Sequence, residues 1–355
     1  KTKIKFKKMD NKQLSICMPS NRNFLLSKES ISSAIGFCEA NNANLVISDN
    51  SCDTVKNDFW NKIELPNLIF DSNNSLNFWS DNWLNGIEKC KSKFTGIVSD
   101  DDVITNLGNS NIDYNNVAED VVAIKPIISL WNEAVGIYKI NNFIIQANTA
   151  SERVLEYLTL AAGNNTTYFS FFRTSHLKGI YNLLKYHPTK GGYLDWAITI
   201  SLIASGKIIL DNSKLLVYKN TNWYGDKKFI DTQVQELFIR SKLQNNSHRF
   251  ERVYRALDCF ILLMRENSNL DYKEKLNVAV LLLEINIKLF KEYYENSNEN
   301  FSREEIVTIK KLFCSETIKE KIDSCLELVS ISNSFLKEKY SRFYFQSLGK
   351  EWGNI

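Results

Sequence analysis

The chain has 355 residues, enough for about two domains on a prior of ~150 residues each. A hydrophobic fraction of 44% with 12% aromatics excludes a disordered chain, and a formal net charge of +3 gives no bulk pull toward nucleic acid. The three histidines (His176, His187, His248) are not spaced as metal ligands, which speaks against a zinc enzyme, and the seven cysteines include no C-x-x-C pair and read as buried free thiols of a reducing cytoplasm.

The start, Lys1 to Lys8, is basic, and no apolar region follows it as a secretory signal requires. The first residue is Lys1 rather than Met, as in a piece excised from a longer protein. No run reaches the ~18 apolar residues of a membrane span. The nearest, Leu276 to Leu289, is broken by Asn277, Glu284, Asn286 and Lys288. The expected location is cytoplasmic, with the inner face of the membrane as a second place of action.

In chain order, Leu14 to Met18 reads as a strand stopped by Pro19. Ser27 to Asn42 reads as a helix, with Ile31, Ala34, Ile35 and Cys38 at i, i+3, i+4 and i+7. Asn44 to Ser48 is a second strand and Asn67 to Phe70 a third. Asp81 to Cys90 is a helix with Trp83, Leu84 and Ile87 inward, and Phe94 to Ser99 is a strand ending in Asp100-Asp101-Asp102. This alternation predicts a largely parallel α/β sheet flanked by helices. From Val121 to about Ile145 alternating apolar runs read as further strands, with antiparallel pairing open to them. Helices follow at Ala150 to Ala162 and Leu194 to Ser205, then short strands at Lys207 to Leu210 and Leu215 to Tyr218. Beyond about residue 230 the pattern is helical, with breaks at Asn267-Ser268-Asn269 and Asn296 to Asn300, and the last two helices in Ser302–Leu328 and Ser330–Leu348. The expected organisation is a catalytic domain over 10–230 and an all-helical region over 231–355.

Parallel strands bring their carboxyl ends to one edge, where open α/β sheets bind ligands. Four segments meet there: Met18 to Asn23, Ser48 to Asp53, Asp81-Asn82, and Asp100 to Asp102. Carboxylates so placed can hold a hard divalent ion that also takes substrate phosphates. A solvated acidic turn is the plain alternative for the aspartate run.

The order of these segments resembles family-2-type bacterial glycosyltransferases of the GT-A fold, in the capsule and lipopolysaccharide subgroup, over roughly residues 12 to 225. Pro19-Ser20-Asn21-Arg22 is similar to the family's Pro-Thr-Tyr-Asn-Arg, one residue shorter. Ser48-Asp49-Asn50-Ser51-Cys52-Asp53 is similar to Asp-Asp-Gly-Ser-Thr-Asp, and Ser80-Asp81-Asn82 in part to an Ala-Arg-Asn helix start. Asp100 and Asp102 match Asp-x-Asp. The resemblance implies a UDP-sugar donor and Mn²⁺ or Mg²⁺ as cofactor, held by Asp102 directly, with Asp100 facing the ribose or bridging to the metal through water and Asp101 beside them. It implies donor contacts from Pro19, Ser20, Asn21, Arg22, Asp49, Ser51 and Asp81, with Asp49 accepting from the uracil imide N–H. Arg22 contacts the donor or pairs with an acid on its loop.

Inverting transfer also needs a base for the acceptor hydroxyl. The family carries it in an acidic pair at a helix start, and Asp195 in Gly191-Gly192-Tyr193-Leu194-Asp195-Trp196 is the candidate. Leu194 stands where an acid is usual. The other reading of Asp195 is a helix cap. Tyr168 to Arg173 resembles an aromatic-Arg strand of the subgroup, and Trp223-Tyr224 is placed to close over the donor. The family's histidine in that stretch is missing, with Lys219 or Asn222 as substitutes.

The implied partners are a nucleotide-sugar donor and a glycan or lipid-linked glycan acceptor. The basic and aromatic residues from Lys310 to Phe345 read as a solvated face, a dimer contact or a membrane-surface face. Two other classes stay open: a nucleotidyltransferase on a similar sheet, and a non-catalytic carbohydrate-binding module.

Overall fold

The computed structural model describes residues 12–76 and 78–350; the basic start at Lys1 to Lys8 lies outside them. The described residues divide into two compact units: one of those up to 146 with 166–181 and 207–221, the other of 147–165, 182–206 and those from 222 onward.

The first unit is a mixed sheet with helices. Its opening elements are β1 (Leu14–Ser20), α1 (Phe24–Ala40), β2 (Asn44–Asp49), α2 (Thr54–Trp60), β3 (Leu68–Ser72), α3 (Trp79–Lys89) and β4 (Phe94–Ile97). Then come β5 (Val103–Asn106), β6 (Val121–Asn132), β7 (Gly136–Asn141), β8 (Phe171–Arg173) and β9 (Lys207–Lys219). Among the described residues they form one sheet in the order β3-β2-β1-β4-β8-β6-β9-β5, with β7 paired to β6. The expected parallel arrangement holds for β3, β2, β1 and β4, and β6 and β9 are parallel as well. The pairs β4–β8, β8–β6, β6–β7 and β5–β9 are antiparallel, so the sheet is parallel in its first half and mixed beyond it.

β1 and β2 are buried along their whole length, which is why they read as unbroken apolar runs. Contrary to the sequence expectation, β1 continues through Pro19. β4 pairs β1 only from Leu14 to Cys17, while β2 pairs it to Ser20, so the missing Pro19 N–H falls where no β4 partner is present. The register sets Ser20 opposite Asp49 and so ends the two strands level. α1 starts three residues earlier than expected because Asn23, not Ser27, is its cap: Asn23 accepts from Leu26 N. α3 lies close on β1 at Gly86, where a Cβ would stand 2.6 Å from Cys17 Sγ. Phe171 and Phe172 of the aromatic-Arg segment are fully buried core, and Arg173 donates to Val121 O and Ala118 O.

The second unit is helical: α4 (Ala150–Ala161), the end of α5 (Thr174–Leu184), α6 (Asp195–Ala204), α7 (Lys227–Arg240), α8 (Glu251–Met264) and α9 (Tyr272–Glu295), then α10 (Arg303–Cys314), α11 (Ile318–Ser332) and α12 (Leu336–Leu348). The α8 stripe Val253, Leu257, Phe260, Ile261 and Met264 is buried as its spacing requires. Three helices occupy the stretch expected to hold two. Thr317 and Glu320 form a capping box that starts a new helix inside Ser302–Leu328. Among the described residues, no helix is long and apolar enough to cross a membrane.

Candidate functional site

In the first unit the carboxyl ends of β1, β2 and β4 form one hydrogen-bonded cluster. Asp100 is its centre. Its Oδ2 accepts from Ser20 Oγ at 2.6 Å, Asn21 N at 3.0 Å and Arg22 N at 2.9 Å, and its Oδ1 accepts from Arg22 Nη1 at 2.5 Å. The second guanidinium nitrogen of Arg22 reaches Asp101 Oδ2 at 2.5 Å. Arg22 therefore pairs with the acids of the β4 loop. Burial alone would weaken its hold on the proton, and the pull of Asp100 and Asp101 more than reverses that.

Below Ser20 lies a residue that the motif reading passed over. Lys56, from α2, is fully buried; its Nζ donates to Asp49 Oδ1 at 2.5 Å, Ser20 Oγ at 2.5 Å and Arg22 O at 2.8 Å. Asp49 is also fully buried, and its other oxygen accepts from Ser51 Oγ at 2.9 Å. In this arrangement Asp49 presents no surface to a base and instead ties the β1 and β2 loops together. The sequence signal for Lys56 is its spacing: it shares the inward face of α2 with Trp60 at i+4, and a buried lysine needs a carboxylate.

Asp53 closes the loop. Its Oδ1 caps α2 at Val55 N and Lys56 N, and its Oδ2 accepts from Phe24 N at 2.7 Å, which holds its pKa below the usual carboxylate range. Asn82 of α3 joins as well, donating to Ser20 O at 3.3 Å and Asn50 Oδ1 at 3.1 Å, while Ser48 Oγ donates to it at 2.6 Å. Asp81 beside it lies in the first turn of α3. All four segments singled out in the sequence thus meet, with Pro19 the strand residue just before Ser20.

Asp102 stands apart electrostatically. Its Oδ1 accepts from Lys219 N at 2.9 Å, and its Oδ2 is buried without a hydrogen-bond partner. Burial, with Asp101 adding to it, raises its pKa well above the carboxylate range. Asp101 is raised too, first by burial. Lys219 thus touches this site, through its backbone.

These observations bear on a divalent ion. Asp100 does not fit as a ligand as it stands, because four protein donors occupy it. Asp102 fits: it has an unpartnered oxygen whose burial favours either a proton or a cation. Among the described residues, no group of three or more His, Cys, Asp or Glu could hold an ion unaided. An ion here needs oxygens from a bound phosphate or from water, which is usual for Mg²⁺.

Asp195 belongs to the second unit. It is the first residue of α6 and not its cap; the cap position is Leu194, and no side chain bonds there. Instead Asp195 Oδ2 accepts from Asn165 Nδ2 at 2.8 Å. The carboxylate is raised to about 6 by burial, against the pull of Asn165 and Arg255. Trp196 is half-buried with the Arg255 guanidinium 5.0 Å from its ring centroid. Trp223 and Tyr224 are 37% and 40% exposed.

No protein-family model matches the sequence, and no curated protein matches it. Solved structures of S. aureus TarS are similar to this chain. TarS 1–349 in complex with UDP covers 92% of this chain and 89% of that chain, with 12% identity and a TM-score of 0.48. TarS 1–349 in complex with UDP-GlcNAc covers 94% and 87%, with 13% identity and a TM-score of 0.43.

Proposed function

We propose that the chain is a cation-dependent glycosyltransferase that moves a sugar from a uridine-diphosphate donor to a hydroxyl of a glycan acceptor. The observation that carries this reading is the charge balance at the edge of β1, β2 and β4. Among the described residues, Asp49, Asp100 and Asp101 pair with Arg22 and Lys56, Lys219 also acts on Asp101, and Asp102 has no ion-pair partner, so the four acids outnumber the three cations. A diphosphate would be repelled from such an acid surplus unless a divalent ion joined it there, and the unpartnered Asp102 Oδ2 is the atom left to hold that ion.

When bound, Mn²⁺ or Mg²⁺ supplies charge neutralisation for the leaving diphosphate. The protein groups do the rest. Asp100 and Lys56 hold the loop of Ser20, Asn21 and Arg22 in the shape that meets the base and ribose. Arg22 is half-buried and can turn from Asp101 to a phosphate. Uridine is favoured by the likeness of residues 48–53 to the family motif, with Ser51 toward the base and the buried Asp49 holding that loop through Ser51 and Lys56. Asp195, at about 6, is ionised at neutral pH and serves as the base for inverting transfer. We place the reaction in the synthesis of bacterial capsule or another surface polysaccharide, at the inner face of the cytoplasmic membrane.

The test is to incubate the protein with a panel of UDP-hexoses and Mn²⁺ and to follow UDP release. The reading requires UDP release by the wild type and its loss in Asp102→Asn and Asp195→Asn. Pyrophosphate release would place the protein with nucleotidyltransferases. Carbohydrate binding indifferent to nucleotide and metal would make it a binding module.

A further inference from the structure

We propose that Asn165, oriented by Tyr157, is a positioning residue that grips one oxygen of the Asp195 carboxylate and fixes how that carboxylate meets the acceptor. The functional part of this inference rests on Asp195 being the base.

The chain of contacts begins in α4. Tyr157 is fully buried, and burial raises its hydroxyl well above the usual tyrosine range, so it stays protonated and donates. Its hydrogen bond goes to Asn165 Oδ1. That bond decides which way the Asn165 amide faces: the carbonyl meets the tyrosine, and the NH₂ meets Asp195 Oδ2 at 2.8 Å. A flipped amide would set a carbonyl lone pair against a carboxylate and leave the buried hydroxyl facing an NH₂. Toward Asp195, Asn165 can therefore only donate, and a donor favours the ionised carboxylate.

The backbone is bent to make this contact. α4 ends at Ala161, and the next two residues, Ala162 at φ 46° and Gly163 at φ 83°, are both left-handed. A left-handed alanine is strained by its Cβ, so the reversal is held by what it brings together. It returns Asn165 to Tyr157, eight residues back on the same helix.

Other groups act on Asp195 from α8 and α6. Arg255 and the Trp196 N–H favour the ionised form, and Glu251 opposes it. Arg255 is already shared: it pairs with Glu251, and its Nε is buried without a partner. Against burial, Asn165 is the largest counterweight. Of these groups, Asn165 is the side chain hydrogen-bonded to the carboxylate.

The experiment compares the wild-type 355-residue chain with Asn165→Ala and Tyr157→Phe. One measurement is the titration of the Asp195 carboxyl by carbon-13 NMR, assigned with Asp195→Asn. The other is the pH profile of UDP release from a UDP-hexose with Mn²⁺. In Asn165→Ala the Asp195 midpoint should rise and the acidic limb of kcat/KM should move up with it, by about tenfold in rate per unit at pH below both midpoints. The loss should be recovered at alkaline pH, with donor KM unchanged. Tyr157→Phe, which keeps the ring and its packing, should shift both in the same direction by less. An unchanged Asp195 midpoint in both variants would overturn the proposal. A midpoint that moves while the rate profile stays still would uphold the grip of Asn165 on Asp195 and overturn the reading of Asp195 as the base.

Discussion

Lys56 Nζ lies 2.5 Å from Asp49 Oδ1, and neither side chain has any exposed surface. This pair sits under the loops that carry the candidate donor site, and it makes the loop shape depend on one lysine. Removing one member of a buried pair leaves the other charge unpaired, at about 3–5 kcal/mol. Lys56→Met should therefore cost that much in urea denaturation. Adding Asp49→Asn should recover most of it, because the stranded charge is gone and the Asn can still accept from Ser51. A Lys56→Met variant as stable as wild type would show that the pair does not hold the loops.

Arg22 bridges Asp100 and Asp101 with its two guanidinium nitrogens. Arg22→Ala would leave three adjacent carboxylates with their main cation gone, which favours divalent ions and disfavours anions. The expected result is a larger rise in melting temperature with Mn²⁺ alone than wild type shows, and a weaker response to UDP without Mn²⁺. Equal Mn²⁺ responses would mean that Arg22 does not compete with a cation.

Asp102 gives a pH test with an unusual sign. Its folded pKa lies above its unfolded one, so at pH between the two the native state holds a proton that the unfolded chain has released. Its contribution to stability is therefore present at low pH and is lost as pH rises through the folded pKa. Asn cannot ionise and lacks this loss. Without divalent ions, Asp102→Asn should gain stability relative to wild type as pH rises from the unfolded pKa toward neutrality, measured by urea denaturation across that range. A gap that closes with rising pH would contradict the burial of an uncompensated carboxylate.

The parallel half of the sheet was legible because β1 and β2 are buried on both faces and bounded by turn residues. The meeting of Ser20, Asp49 and Asp100 followed from strand order alone. Lys56 was passed over as a site residue: its one signal is the i, i+4 spacing with Trp60 on a seven-residue helix, and that gains meaning when the register sets Ser20 level with Asp49. Asn165 was hidden for a similar reason. It sits in the polar run Asn164-Asn165-Thr166-Thr167, and only the left-handed turn at Ala162-Gly163 carries it back to Tyr157. β5 was missed because it is four residues long and starts directly after Asp102. These are contacts between segments distant in sequence, or elements too short to show a period.

The central claim is a nucleotide site completed by a cation at Asp102. It is tested most directly by calorimetric titration of UDP into wild type and Asp102→Asn, each with and without Mn²⁺. The account predicts UDP binding to wild type that requires Mn²⁺ and is lost in Asp102→Asn while the variant stays folded. UDP binding that is equally tight without Mn²⁺, or unchanged in Asp102→Asn, would contradict it.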